Sequence, residues 1–142
     1  MGNIVNKSLK LWILPDEDMI RVLNQNMGNV RFVWNRILSN YNELYELFRS
    51  YGYPLKPNIR NFNAILKMLK QKYSFLREGE STIQQQVFRD LAKSFNRFFN
   101  GISNYPKLKS KKNPKQSFRI QKNGNNGSVK NLTDSVTFIH RI

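Results

Sequence analysis

Between Pro106 and Lys122 the chain carries Lys107, Lys109, Lys111, Lys112, Lys115, Arg119 and Lys122, spaced by Pro, Ser and Asn. From Leu91 to Thr133 there is no acid. The breakers between these cations prevent them from sharing a helical face. An irregular cationic segment can instead follow a phosphate backbone, each contact releasing condensed counterions. The plain alternative is a solvated charged loop. The balance of the whole chain favours the first reading: 24 Lys and Arg against 9 Asp and Glu, a net charge of +15 over 142 residues. Self-repulsion of that size is relieved by a polyanion. Nucleic acid is the expected partner, ahead of an anionic membrane.

Residues for other chemistry are scarce. The chain has no Cys, hence no disulfide, thiolate nucleophile or sulfur-bound metal. His140 is the single His, too little for a zinc site or a Ser–His pair. The acids are scattered: Asp16, Glu17 and Asp18 suit a helix start, and Glu43 and Glu46 an exposed helix face. No set of carboxylates suits a metal. The expectation is no catalytic residue, no metal and no cofactor. No apolar run has the length of a membrane span and no hydrophobic signal region follows Met1, so a soluble, cytoplasmic protein without membrane contact is expected.

The elements that must position the basic segment are mostly helical. Ser81–Phe99 is the strongest: Ile83, Val87, Leu91, Phe95, Phe98 and Ile102 recur at steps of three and four. Gln85, Arg89, Lys93 and Arg97 line another face, so one side suits a core and the other a polyanion. Ser81 with Gln84 fits a capping box. Asp16 reads as the N-cap of a helix reaching about Met27, with Gly28 as its break. Asn29–Tyr51 follows with a wide apolar stripe, then Asn58–Lys72 after a Gly/Pro loop. The first two helices around Gly28 resemble a helix-turn-helix, although the second is long and apolar, which suits a bundle better than a recognition helix.

Strand signals lie outside the helices. Leu9, Leu11 and Ile13 alternate with polar or bulky neighbours over Asn3–Leu14, and Ser117–Gln121 and Val136–Ile142 read as short strands. Lys122–Ser128 reads as a turn or flexible loop. The expected fold is α+β and mostly α. A four-helix bundle (15–104) is inserted after an N-terminal strand (1–14) into a small, incomplete sheet completed by 105–142.

Aromatic and amide residues leave choices open. Phe95, Phe98, Phe99 and Trp34 read as core. Tyr105 and Phe118, beside cations, are better candidates for base stacking. Gln84, Gln85 and Gln86 could read base edges or form a solvated, capped first turn.

Three stretches together resemble the N-terminal region of TnpB (OrfB-type) proteins, transposon-encoded RNA-guided nucleases related to type V CRISPR effectors. They are Gly28-Asn29-Val30-Arg31-Phe32-Val33-Trp34-Asn35; Ser81 through Phe99 with its S-x-x-x-Q and R-D-L pattern; and Tyr105-Pro106-Lys107-Leu108-Lys109-Ser110-Lys111-Lys112 followed by Ser117-Phe118-Arg119-Ile120. The resemblance covers roughly residues 9–121. It implies a helical recognition domain inserted into a β-barrel-like wedge domain, contacting a guide RNA and its target-strand heteroduplex. It also implies that Ser81, Thr82 and Gln85, with Asn123 in the loop after the SFRIQ strand, approach a short motif beside the target DNA. Lys107, Lys109, Lys111, Lys112, Lys115, Arg119, Lys122, Arg89 and Lys93 are the expected backbone contacts.

The pattern also departs from that family. Trp12-Ile13-Leu14-Pro15 stands where R-L-Y-P is usual, and Gln84 where an apolar residue is usual. The strand ending in L-P-K-L-G, the RuvC-like nuclease domain and the zinc ribbon are missing. The expectation is a truncated, non-enzymatic member that reads nucleic acid, with a full-length copy as a possible partner. A free-standing DNA-binding regulator of a mobile element, or a non-functional remnant, are the other readings.

Overall fold

A computed structural model of the chain describes residues 10–113, 115–121 and 135–141. Asp16 opens the first helix, its Oδ1 accepting the Met19 N–H at 2.8 Å, with Glu17 and Asp18 in the first turn where the helix dipole favours acids. This helix, α1, runs from Glu17 to Ser50 without interruption, 34 residues. The break expected at Gly28, and with it the two-helix start, is therefore corrected. A glycine inside a helix costs only about 1 kcal/mol. The buried stripe of α1 starts beside it, at Met27, and continues through Val30, Val33, Trp34, Ile37, Leu38 and Tyr41; the turns before Gly28 are largely exposed and still helical.

Helix α2 (Ile59–Lys72) starts at Asn58, whose Oδ1 accepts the Asn61 N–H at 2.9 Å. The single turn α3 (Phe75–Glu78) precedes α4 (Ser81–Phe99). Gly52 and Gly101, at φ of 81° and 74°, end α1 and α4. At this end the Ile102 N–H reaches back to the Arg97 carbonyl and the Gly101 N–H to that of Phe98, so these two carbonyls of the last turn are satisfied.

The capping box at Ser81 does not form: Glu80 is the N-cap and makes no side-chain cap bond. Gln84 turns inward instead. It is 1% exposed, and its Nε2 donates to the Leu76 carbonyl at 2.8 Å, tying α3 to α4. Gly79 makes this approach feasible. A Cβ there would lie 2.7 Å from Asn29 Nδ2 and 2.8 Å from Gln84 Nε2.

Ile83, Val87, Leu91 and Phe95 are buried as their spacing predicts, and they meet Ile37, Phe62 and Leu66 in one core. Tyr41 packs edge-on to Phe62 and Phe95, with centroids 5.5 and 5.2 Å apart. The apolar face of α4 ends early: Phe99 and Ile102 are exposed.

Strands β1 (Lys115–Gln121) and β2 (Ser135–Arg141) pair antiparallel, Phe118 opposite Phe138 with their rings stacked at 5.0 Å. Two strands alone are marginal in water; here Phe118 joins the helical core and anchors the hairpin. The architecture is α+β and mostly α. Residues 10–14 of the expected N-terminal strand are irregular, with Leu11, Trp12, Ile13 and Leu14 exposed. Residues 3–9 of that strand and the turn at Lys122–Ser128 lie outside the described residues. Among the described residues no helix is long and apolar enough to cross a membrane.

Candidate nucleic-acid interface

The loop from Ser103 to Asn113 has no regular structure, yet it is fastened along its length. Tyr105 sets its start: the ring meets Phe95 and Phe98 edge-on, each at 5.2 Å, and the hydroxyl donates to Asn42 Oδ1. Burial raises the pKa of that hydroxyl, with Tyr45 adding to it. Two residues of α1 then hold the lysines. Trp34 donates its Nε1–H to the Lys107 carbonyl at 2.8 Å. Asn35 closes a two-point clasp on Lys109, donating from Nδ2 to the carbonyl at 2.9 Å and accepting the N–H on Oδ1 at 2.6 Å.

The far end of the loop is gathered by Gln116. Its Nε2 reaches the Lys111 and Asn113 carbonyls at 3.1 and 3.0 Å, and its Oε1 accepts from Arg31 Nη1 at 2.9 Å. The backbone is thus tied to α1 while the side chains of Lys107, Lys109, Lys111 and Lys112 stay exposed. The Lys109 ammonium lies 4.5 Å from the Trp34 ring centroid. Loss of water there lowers its pKa below the ordinary lysine value, and Asp90 pulls it partly back.

Arg119 differs from the loop lysines. Its Nη2 meets Asp90 Oδ1 at 2.7 Å, and the same oxygen accepts from Gln86 Nε2 at 2.9 Å. The expected phosphate contact therefore carries its own carboxylate partner. Asp90, Arg119 and Lys109 border a cleft of about 140 Å³ that Trp34 and Phe118 also line.

The other expected residues fall in several places. Arg89 and Lys93 are exposed on α4. At its start Ser81 is exposed, its Oγ accepting from Lys70 Nζ at 3.3 Å, while Thr82 is buried and donates to Glu80 Oε1 at 3.0 Å. Gln85 is half-buried, and Gln84 and Gln86 are buried and bonded within the chain. Base reading by the three glutamines is thereby narrowed to Gln85. Phe118 is buried against Phe138, which removes it as a stacking residue. Lys115 stands in β1, and Lys122 and Asn123 lie outside the described residues.

Sequence reasoning missed the residues that fasten the loop: Arg31, Trp34, Asn35, Asp90 and Gln116. A buried indole N–H needs an acceptor, so Trp34 beside Asn35 in an otherwise apolar stripe was the available signal. The three stretches that carry the family resemblance are joined by these contacts. Trp34 and Asn35 hold Lys107 and Lys109, Arg31 holds Gln116, and Asp90 holds Arg119.

Residues 1–58 match the helix-turn-helix domain model of OrfB/IS605-type proteins. Among the described residues of that segment there is a single helix, α1. A protein of Streptomyces pristinaespiralis named as an RNA-guided DNA endonuclease is 29% identical over 115 residues, 80% of this chain. The matched part is 27% of that protein, so the chain spans about a quarter of its length.

Proposed function

We propose that this chain, which carries the N-terminal region of the TnpB (OrfB) family, binds nucleic acid through the lysine loop that α1 clasps. One observation carries this reading. The loop backbone is bonded to Trp34 and Asn35 so that four lysine side chains stay exposed beside one another. A merely solvated tail needs no such fastening. A fixed cationic loop has already met part of the ordering cost that a phosphate strand would otherwise impose.

In the finer form of the proposal, Lys107, Lys109, Lys111, Lys112 and, on α4, Arg89 and Lys93 follow the backbone of a guide RNA or its target DNA. Ser81 and Gln85 approach base edges beside the target, with Asn123 in the following loop. The helices act as a recognition bundle inserted into a wedge-type sheet, and a full-length family member is the partner that would cut. No cleavage is assigned to this chain.

A salt titration of RNA and DNA binding tests the proposal. Four loop contacts give a slope of log K on log salt of about −3 or steeper. A flat titration would overturn it. Gln85→Ala is expected to change sequence preference more than bulk affinity; an equal loss on every sequence counts against motif reading.

A second reading, a free-standing regulator of DNA, is favoured by the helix-turn-helix match. A footprint on promoter DNA without any RNA would select it. The unbroken α1 favours the first reading, because it offers no separate recognition helix.

A further inference from the structure

Gly28 poses a question that packing within the chain does not answer. It stands inside α1, where glycine is the poorest helix former except proline. A Cβ there would meet nothing nearer than Arg31 Nη2 at 4.0 Å. The contrast with Gly79, where a Cβ collides with two buried amides, is direct. Among the described residues no neighbour requires the missing side chain at Gly28.

The space above it is a groove of about 320 Å³ lined by Gly28, Arg31, Phe32, Asn35 and Arg36. These positions share one helix face: 28, 32 and 36 step by four, as do 31 and 35. Arg36 is exposed, its guanidinium carbon 5.3 Å from the Phe32 ring centroid and 5.5 Å from that of Tyr73. Arg31 uses Nη1 on Gln116 and turns Nη2 toward the groove. Among the described residues neither arginine has a carboxylate within ion-pair distance. Asn35 joins the groove to the clasp on Lys109, so the two cationic surfaces are continuous.

We infer that the groove over Gly28 seats a phosphate group of a nucleic-acid strand, with the Arg31 and Arg36 guanidinium groups as its donors. The glycine lets the sugar–phosphate chain approach the helix backbone. The inference rests on the nucleic-acid reading above and adds a second contact track to it. Planar guanidinium forks suit phosphate oxygens, and rings beneath Arg36 hold its fork in place.

The test uses the full chain, with a single-stranded RNA 20-mer and a 20-base-pair DNA duplex as separate probes. Gly28→Leu fills the groove without changing charge and suits a helix. At least a tenfold loss of affinity with an unchanged or raised melting temperature is expected, on whichever probe the parent binds. Unchanged affinity overturns the inference and leaves the loop reading standing. A parent that binds neither probe overturns both. If the leucine lowers the melting temperature, Arg36→Gln decides. A salt slope shallower by about one supports the groove, and an unchanged slope overturns it.

Discussion

Asn35 and Lys109 bond to each other twice, side-chain amide to backbone peptide, across 74 positions of sequence. The pairing imitates one rung of a strand ladder, made by a helix on a loop. It fixes the direction of the loop backbone on both sides of Lys109.

Asn35→Ala removes both bonds and is expected to destabilise the fold by roughly 1–2 kcal/mol, because each exposed bond is worth about 1 kcal/mol or less. Asn35→Asp keeps the acceptor for the Lys109 N–H but turns a carboxylate oxygen toward the Lys109 carbonyl, so it does not restore the clasp. As an anion among cations it should lower nucleic-acid affinity more than alanine does. Urea unfolding measures both, and hydrogen exchange at the Lys109 amide should quicken in the alanine variant. If the clasp orders the interface, affinity for RNA or DNA falls in the alanine variant, which changes no charge.

Asp90→Asn frees Arg119 and deletes the acid that faces the basic cluster. The pair is partly exposed, with side chains 35% and 44% open, so solvent screening limits its stabilising effect to about 1 kcal/mol or less. Nucleic-acid affinity is expected to rise several-fold and the salt slope to steepen by about one. A drop in affinity would show instead that the carboxylate holds Arg119 in its binding position. Filter binding at several salt concentrations separates the two outcomes.

Lys109 gives a pH dependence of known sign. Its folded pKa is depressed, chiefly by loss of water around the ammonium. Below that pKa both states are charged and the folded state bears the desolvation cost. As pH rises through the folded pKa toward the ordinary 10.5, the folded state sheds its proton first and the cost lifts. The contribution to stability therefore grows with pH across that window. Lys109→Met should be neutral to stabilising at pH 7 and should abolish the rise. The difference between parent and variant in urea unfolding isolates it from other titrations.

Gly28→Ala and Gly79→Ala should move stability in opposite directions. The first fills open space on a helix and is expected to stabilise by about 1 kcal/mol. The second drives a methyl into Asn29 and Gln84, both buried, and should cost about 1–3 kcal/mol. Thermal unfolding of the two variants beside the parent checks the pair.

The apolar periodicity that built the bundle was legible, since Ile83, Val87, Leu91 and Phe95 bury as their spacing requires. The helix-breaking weight given to Gly28 was misplaced. One residue's propensity, about 1 kcal/mol, is too small to stop a helix by itself. The alternation at Leu11 and Ile13 was equally misleading, because period two marks a strand only where a neighbour accepts its backbone. Where each cation sits in the chain was readable; what fastens them was not. Any Asn can bond any peptide, so nothing in the letters linked Asn35 with Lys109 or Asp90 with Arg119. The exposed lysines and Arg119 looked alike in sequence and differ through the carboxylate that α4 sets against Arg119.

The clasp between Asn35 and Lys109 also sets an order of assembly. During synthesis α1 emerges before the loop, and Asn35 has nothing to hold until the chain has grown by the 74 positions that separate it from Lys109. A fragment ending at residue 58, the extent of the family match, would display Trp34 and Asn35 with nothing in their grip. The clasp therefore needs chain reaching at least to Lys109, well beyond the stretch that the helix-turn-helix model matches.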